Sequence, residues 1–279
     1  MSIEAKIVAD SINNKGNRLT TFVVTFPRFI LAEVNTHRML SRNSASSRAV
    51  PVLKMIGGVL ANPAMPVRWG ANARGMQDQG ELSPFWAWVA RRLWIAGSWL
   101  MCGLAYLLSK CGAHKQLANR VIEPWCHTTA IISATEWGNF FNLRVHPSAQ
   151  PEFQALAAAM LRAYIDSEPQ LLAPGEWHVP LGGDCSDPLE MRLKRSVAAC
   201  ARISYHNIDA IKTPEDDARL HDHLLENGHC SPFEHQAMAP ELPSQRGGNF
   251  QGFFQYRKML THENRAEFNP EKLLEALRE

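Results

Sequence analysis

The 279-residue chain lacks a strong net charge, a closely spaced cysteine pair and any run of basic residues. Its formal charge of +2 gives no broad basic field, which argues against binding to nucleic acid. Its six cysteines contain no C-x-x-C pair, and a chain this long needs no disulfide scaffold, so reduced thiols are expected. The start, MSIEAKIVADSINNKG, has no apolar secretory core. These features predict a globular cytoplasmic protein.

Several catalytic motifs are also missing from the sequence. It contains neither a G-x-S-x-G nucleophile elbow nor a G-x-x-x-x-G-K phosphate loop. His221 and His223 are two residues apart and point to different sides of a helix, unlike the i, i+4 pair of a zinc helix. We therefore expect no metal site and interpret both histidines as solvated helix residues.

One long apolar run, from Leu93 to Leu108, has no charged residue and follows Arg91 and Arg92. A membrane span usually needs about 20 apolar residues. This run is shorter and includes Gly97, Ser98 and Gly103, so a helix buried in the core is favoured over a span. No membrane contact is predicted.

The pattern predicts a single domain over residues 1–279, with an insertion at about 57–115 whose first part, 57–83, is irregular. For residues 18–40 the pattern predicts a strand and then a helix with Pro27 in its first turn. That helix has four residues available for burial: Phe29, Ile30, Val34 and Met39. Two helices separated by Pro147 are expected next, and near the C-terminus Thr213 and Gly228 should cap a further helix.

The stretch HRMLSRNSASSR, residues 37–48, is dense in hydrogen-bond donors. It places three arginines, a histidine, an asparagine and four serines directly after a helix. Short hydroxyl donors and guanidinium groups suit phosphate oxygens. The loop therefore predicts a local anion site, and the structural alternative is a solvated helix end with ordinary serine caps.

A charged side chain also lies on an apolar helix face. Trp137, Phe140, Phe141 and Arg144 fall at i, i+3, i+4 and i+7. Because isolated charges are rarely buried, Arg144 should meet either an anion or polar acceptor in a pocket, or a carboxylate of the same protein. Spacing alone leaves both possibilities open.

The loop resembles the signature of the flavin-dependent thymidylate synthases, R-H-R-x-x-S-x-N-x-x-S-x-R. Six of its seven fixed positions match: His37, Arg38, Ser41, Asn43, Ser46 and Arg48. A later block is similar as well, with Asn119-Arg120, Pro124, N-x-x-x-x-R at Asn139 and Arg144, and A-Q-x-E at residues 149–152. A third block, ARISY followed by GHCSPFEH, resembles the stretch that precedes the signature in the family. Agreement over several blocks is more specific than one motif.

The order of the blocks differs from that of typical members, because GHCSPFEH lies near the C-terminus and the signature near the N-terminus. The resemblance therefore implies an α+β fold with long core helices packed on an antiparallel sheet, in circularly permuted order. Permutation is tolerated when the original termini are close together. Rearranged relatives of this kind occur in bacteriophages, which implies a phage origin.

The resemblance implies FAD as cofactor, dUMP as substrate, methylenetetrahydrofolate and NADPH as cosubstrates, and a homotetramer with sites shared between subunits. Arg144 is the implied catalytic residue, facing the uracil carbonyls. The implied substrate-binding residues are Ser46, Arg48, Arg120, Arg144 and Glu33. The implied FAD-binding residues are His37, Arg38, Asn43, Asn139, Ser204, His229, Ser231 and Glu234. Cys126 is interpreted as a structural thiol, although His127 beside it is a possible base.

Three departures from the family pattern leave alternatives open. Thr36 replaces the first signature arginine, Ser44 the usual glutamate, and Glu33 the usual glutamine. An ionised glutamate accepts but cannot donate a hydrogen bond, so cytosine in place of uracil is conceivable. The alternatives to a thymidylate synthase are a related C5 transferase, for example one that hydroxymethylates dUMP or dCMP, and a non-catalytic relative that binds nucleotide or flavin.

Overall fold

The computed structural model describes residues 3–205, 212–242 and 245–260, which form an α+β fold. The strands are β1 Glu4–Asn13, β2 Arg18–Pro27, β3 Ser41–Ser44, β4 His127–Ala134, β5 Gln170–Leu172, β6 Trp177–His178, β7 Ala237–Met238, β8 Arg246–Gly247, β9 Phe250–Gln251 and β10 Phe254–Gln255. The helices are α1 Leu31–Asn35, α2 Val52–Ala61, α3 Pro84–Lys110, α4 Lys115–Ala118, α5 Gly138–Arg144, α6 Pro151–Asp166, α7 Leu189–Arg202, α8 Pro214–Glu226 and α9 Tyr256–Met259. Short 3-10 helices cover Arg28–Ile30, Asn119–Trp125, Ile203–Tyr205 and Ser231–Glu234.

The main sheet has the strand order β3-β4-β2-β1-β5 and is antiparallel except where β5 joins β1. The β1–β2 connection turns on Gly16, whose φ of 81° favours a residue without a Cβ. The Asn13 side chain accepts hydrogen bonds from the backbone N–H groups of Lys15 and Asn17, which fixes this turn. A second sheet of two-residue strands has the order β6-β7-β10-β8-β9.

Both faces of the main sheet are covered. On one face, Phe22 and Phe26 of β2 and Ile132 of β4 pack against Phe140 of α5 and Phe153 of α6. On the other face, a smaller cluster joins β4 to the end of α7: Ile131, Cys200 and Ile203. Because side chains alternate along a strand, β4 anchors both layers at once.

A separate apolar cluster joins α2 and α3 to the 3-10 helix at residues 119–125. The predicted irregular stretch 57–83 is wrong at its start, because α2 continues to Ala61. Residues 62–83 then lack helices and extended strands and have one isolated bridge, between Gly70 and Glu81.

The prediction that the 93–108 run is buried in the core is wrong. Helix α3 is longer than predicted, and only Ser98, Cys102 and Ala105 are buried. It is also the one helix of the described residues that is long and apolar enough to cross a membrane. Its apolar side chains face outward because α2 and the 3-10 helix cover one side only.

The predicted strand at residues 18–27 is confirmed. The predicted helix is present but short, with a 3-10 turn at Arg28–Ile30 and α1 at Leu31–Asn35, and Ile30 and Val34 are buried. Met39 is instead exposed, and Leu40 takes the buried position. Part of the polar loop is not a loop, since Ser41–Ser44 forms strand β3 and pairs with β4. The loop's serines and asparagine are therefore held by the main sheet.

The C-terminal cap is confirmed, because the Thr213 side chain accepts a hydrogen bond from the backbone of Asp216 and Gly228 has a φ of 68°. The interpretation of His221 as solvated is wrong: it is buried and its ring stacks on Tyr256. Helix α8 packs against α7, which turns His221 inward, whereas His223 is exposed.

Candidate functional site

A cavity of about 690 Å³, here called the Ser46 cavity, lies between the signature loop and the C-terminal part of the chain. Six of the predicted site residues line it: Asn43, Ser46, Arg48, Ser204, His229 and Ser231. These residues come from positions more than 150 residues apart in sequence. The fold therefore unites two of the three blocks that the sequence analysis singled out.

Backbone hydrogen bonds hold the two blocks together. The backbone N–H of Ser46 donates to the carbonyl of Ser204 at 2.9 Å. The Asn43 amide points to the carbonyl of Cys200 at 3.5 Å. From the other side, the buried Asn119 amide donates to the carbonyls of Ser47 and Val50, at 2.7 and 2.9 Å. Asn119 thus fixes the loop through its backbone and leaves the side chains of Ser46 and Arg48 available to a ligand.

Two basic side chains, Arg48 and Lys115, line the Ser46 cavity together with His223 and His229, and no acidic residue is among the described residues that line it. The Lys115 ammonium donates to the carbonyl of Ala49 at 3.2 Å, which places it beside the loop. A positive cavity with hydroxyl and amide groups suits a phosphate-bearing ligand.

A second cavity, here called the His37 cavity, measures about 790 Å³ and shares no lining residue with the first. Three predicted FAD-binding residues line it: His37, Arg38 and Asn139. Its wall includes the aromatic face of α5 with Trp137, Phe140 and Phe141, and it also contains the ion pair between Glu136 and Arg246. This cavity is more apolar on one side, which suits a planar ring.

Arg144 lies beside the His37 cavity and finds a polar acceptor, as one of the two interpretations predicted. Its Nε–H donates to Nε2 of His37 at 2.8 Å, and its guanidinium lies 4.8 Å from the centre of the Phe153 ring. The partner is thus an imidazole. Burial lowers the pKa of His37, and the charges of Arg144 and Arg42 lower it further. A neutral imidazole at neutral pH has the free Nε2 lone pair that this hydrogen bond needs.

Strand β3 separates the two cavities. His37 and Arg38 precede the strand, while Ser46 and Arg48 follow it. Four extended residues span about 13 Å, so the signature places its polar groups at two ends of one strand. The predicted polar loop therefore contains a short strand with a cavity at each end.

Besides Arg144, three predicted site residues lie outside both sets of lining residues. Glu234 forms an ion pair with Arg257. Arg120 is half exposed and pairs with Glu123 at 3.0 Å. Glu33 has one carboxylate oxygen, Oε2, that is buried without a hydrogen-bond partner among the described residues. These three residues are not brought to either cavity by this chain alone.

Sequence reasoning missed some of the lining residues. Lys115 and Gln116 enter the Ser46 cavity from the predicted insertion, where no motif pointed to them. Thr135 and Tyr164 line the His37 cavity. Motif spacing could not identify Lys115 as a neighbour of the signature loop, because it is 67 positions from Arg48 in sequence.

Cys126 is buried, and its thiol donates to the carbonyl of Ile122 at 3.3 Å. Burial raises its pKa to about 12. A thiol in this state is not a nucleophile at neutral pH. Among the described residues, no group of three or more His, Cys, Asp or Glu side chains is arranged to hold a metal ion.

A model of the family described as thymidylate synthase complementing protein, Thy1, matches residues 19–170, which is more than half of the chain. The chain belongs to the Thy1 family. The Thy1 match contains the signature loop, Arg120 and Arg144, and it ends before the block at residues 201–236. The circular permutation therefore stays a prediction.

The Thy1 chain is also similar to solved structures of a UMP/dUMP methylase, PolB, from Streptomyces cacaoi. The structure with 5-Br dUMP has a TM-score of 0.49 and 16% identity, and the similarity covers 59% of this chain and 90% of that chain. The structure with 5-Br UMP has a TM-score of 0.49 and 17% identity, covering 59% and 89%. No curated protein sequence matches the Thy1 chain.

Proposed function

We propose that this protein is a flavin-dependent thymidylate synthase, which converts dUMP to dTMP with methylenetetrahydrofolate as carbon donor and NADPH as reductant. Membership of the Thy1 family supports a nucleotide-modifying enzyme. The observation that carries the proposal is the Ser46 cavity, where Ser46 and Arg48 meet Ser204, His229 and Ser231 from the far end of the chain. This is the donor set expected where a nucleotide phosphate lies next to a flavin.

The residues present fit FAD. Asn43, Ser204, His229 and Ser231 offer hydroxyl, amide and imidazole groups for phosphate and ribose oxygens, and the cavity volume lies within the usual range for ligand sites. At the other end of β3, His37, Arg38 and Asn139 offer further contacts. When bound, FAD would supply the hydride that completes the methyl group.

The chain's own residues would bind and polarise the pyrimidine nucleotide. Ser46 and Arg48 would hold the phosphate, because a hydroxyl and a planar guanidinium fork match its oxygens. Arg144 would face the uracil carbonyls and stabilise negative charge as C5 becomes nucleophilic. His37 would keep the Arg144 guanidinium in place through the 2.8 Å hydrogen bond while remaining neutral.

We further propose that each active site is assembled from two copies in a homotetramer. Ser46 and Arg48 line one cavity, whereas Arg144 lies beside the other, and the two cavities share no residue. A second copy that places its His37 cavity opposite the Ser46 cavity of the first would unite phosphate and base contacts. Arg120, half exposed in one chain, would then face the same interface.

Subunit mixing tests this assembly. Arg48→Gln and Arg144→Gln should each abolish most of the turnover. Coexpression of both variants should then restore activity, up to about a quarter of the sites for random association in a closed oligomer. As a matched control, Ser46→Ala mixed with Arg48→Gln should restore nothing, because both changes affect the same half-site.

The outcomes separate the assembly from the chemistry. If the wild-type protein forms dTMP but the mixed variants stay inactive in confirmed mixed oligomers, the shared site is wrong. If the wild-type protein forms no C5-modified nucleotide from dUMP with FAD, methylenetetrahydrofolate and NADPH, the proposed function itself is wrong.

A further inference from the structure

Helix α3 presents an apolar face to the outside of the fold. The face, here called the α3 face, consists of residues at intervals of three and four positions: Leu93, Ala96, Trp99, Leu100, Gly103, Leu104 and Leu107. Leu93 and Leu100 are each 68% exposed and Trp99 is 62% exposed. With Phe85, Trp86 and Trp88 at the start of the helix, the exposed aromatic side chains alone offer roughly 500 Å². The largest exposed apolar patch of a typical monomer covers about 300 to 600 Å² and often has a function.

The opposite side of α3 packs against the rest of the protein. Ser98, Cys102 and Ala105 are buried against α2 and the 3-10 helix at residues 119–125. A helix that crosses a bilayer in isolation would have lipid on all sides, whereas α3 has only one free face. The geometry fits a helix lying in the plane of a membrane surface, with its exposed face in the acyl boundary.

The charged residues of α3 itself are all basic. Arg91 and Arg92 precede the α3 face, and Lys110 ends the helix. Residues 34–122 contain eleven lysines and arginines but only two acidic residues, while the rest of the chain has eighteen basic and twenty-five acidic residues. The nearly neutral total thus conceals a basic stretch of sequence that includes the apolar helix α3. This combination complements an anionic lipid surface.

Aromatic and cationic side chains are paired at both ends of α3. The Arg92 guanidinium lies 5.5 Å from the centre of the Trp88 ring. The Lys110 ammonium lies 5.3 Å from the centre of the Tyr106 ring. Amphipathic aromatic rings and long cationic side chains are the residues that anchor a helix at the level of lipid headgroups.

A second copy of the chain is a poorer occupant of the α3 face. A two-fold axis through Leu100, the centre of the apolar stretch, would bring Arg91 and Arg92 of one copy next to Lys110 of the other. A parallel arrangement would place Arg91 and Arg92 opposite themselves. Both arrangements bring like charges together, with no acidic residue of α3 to offset them.

We propose that the α3 face binds the surface of an anionic lipid bilayer and holds the protein there without spanning it. This reverses the expectation of no membrane contact, which rested on α3 being buried. The inference is independent of the proposed function, because no residue of the α3 face lines the Ser46 or His37 cavity.

Vesicle flotation with the full chain tests the proposal. The protein should float with vesicles of phosphatidylcholine and phosphatidylglycerol, and raising the salt should weaken binding. Trp99→Glu with Leu100→Glu should lower the partition coefficient by about tenfold or more, because a charge at the acyl boundary opposes insertion. Arg91→Gln with Arg92→Gln should weaken binding to these anionic vesicles.

The matched control is Ile165→Glu, which adds a charge at a side chain that is 70% exposed on α6. It should float like the wild-type protein. Circular dichroism and thermal unfolding of each variant establish that the fold is retained. No flotation of the wild-type protein, or equal flotation of the Trp99→Glu/Leu100→Glu variant, would overturn the proposal. Dissociation of a lipid-free oligomer by that variant would overturn it too, since the face would then belong to a second copy.

Discussion

Two fully buried histidines should make the folded protein sensitive to acid. Burial lowers the pKa of His178 and of His235 to about 3, from an ordinary value of 6.5. They belong to one buried chain of hydrogen bonds, from Ser11 through His178, Thr21 and Ser133 to His235. Both imidazoles are therefore neutral in the folded state. Protons bind preferentially to the unfolded state as the pH falls below 6.5, so stability present above that pH is lost towards pH 3.

The size of the loss follows from the two pKa values. At pH 5 the unfolded histidine is almost fully protonated and the folded one is not, which costs about 2 kcal/mol for each side chain. The pair therefore costs about 4 kcal/mol, a large fraction of the 5 to 15 kcal/mol typical of a folded domain. The assay is urea unfolding at pH 7.5 and at pH 5.

Substitution isolates the contribution of these two residues. His178→Gln with His235→Gln removes both titrating groups and should flatten the pH dependence by about 4 kcal/mol, whatever its effect on stability at pH 7.5. His146→Gln changes an exposed histidine and serves as the control. A double variant with the same pH dependence as the wild-type protein would refute the reasoning.

Three further predictions concern the proposed chemistry. Arg144→Lys keeps a positive charge but loses the planar fork and its Nε–H donor to His37. Single-turnover oxidation of the reduced, folate-charged enzyme at saturating dUMP should therefore slow by about a hundredfold or more, which corresponds to about 3 kcal/mol or more. An unchanged rate would make Arg144 a packing residue. Cys126→Ser should keep most of the turnover because the thiol is buried and protonated, and complete loss with intact folding and FAD binding would exclude the flavin mechanism. Titration calorimetry should detect FAD binding to the wild-type protein, and this binding should weaken in Ser231→Ala. Ser148→Ala is the control, because Ser148 is exposed and lies outside both cavities. Failure of the wild-type protein to bind FAD would contradict the cofactor assignment.

Local signals predicted the elements that depend on local chemistry. Strand β2, the start of helical structure after Pro27 and the Thr213 cap of α8 each follow from residues close together in sequence. Strand β4 was not predicted, although its sequence, HTTAIISA, is rich in β-branched residues. The reason is that it lies between segments whose apolar residues have helical spacing. Here pairing with β2 and β3 decides the structure, and such long-range pairing cannot be deduced from a short window.

The same distinction applies to the candidate site. The spacing on α5 predicted a polar partner for Arg144, but the partner, His37, is 107 residues away and could not be identified. Length and apolarity predicted that α3 is a helix but not which surface covers it, because a sequence does not reveal how many sides of a helix find partners. Lys115 reaches the Ser46 cavity for a similar reason, through the packing of α4 against α3 and the 3-10 helix at residues 119–125 rather than through a motif.

The product formed from dUMP tests the central claim most directly. The wild-type protein would be incubated with dUMP, FAD, NADPH and methylenetetrahydrofolate, and in parallel with dCMP, and the nucleotides analysed by mass spectrometry. Our account predicts dTMP from dUMP, at a rate that falls sharply in Arg48→Gln and Arg144→Gln. A hydroxymethylated nucleotide, a product from dCMP alone, or no product from protein that has bound FAD would contradict it.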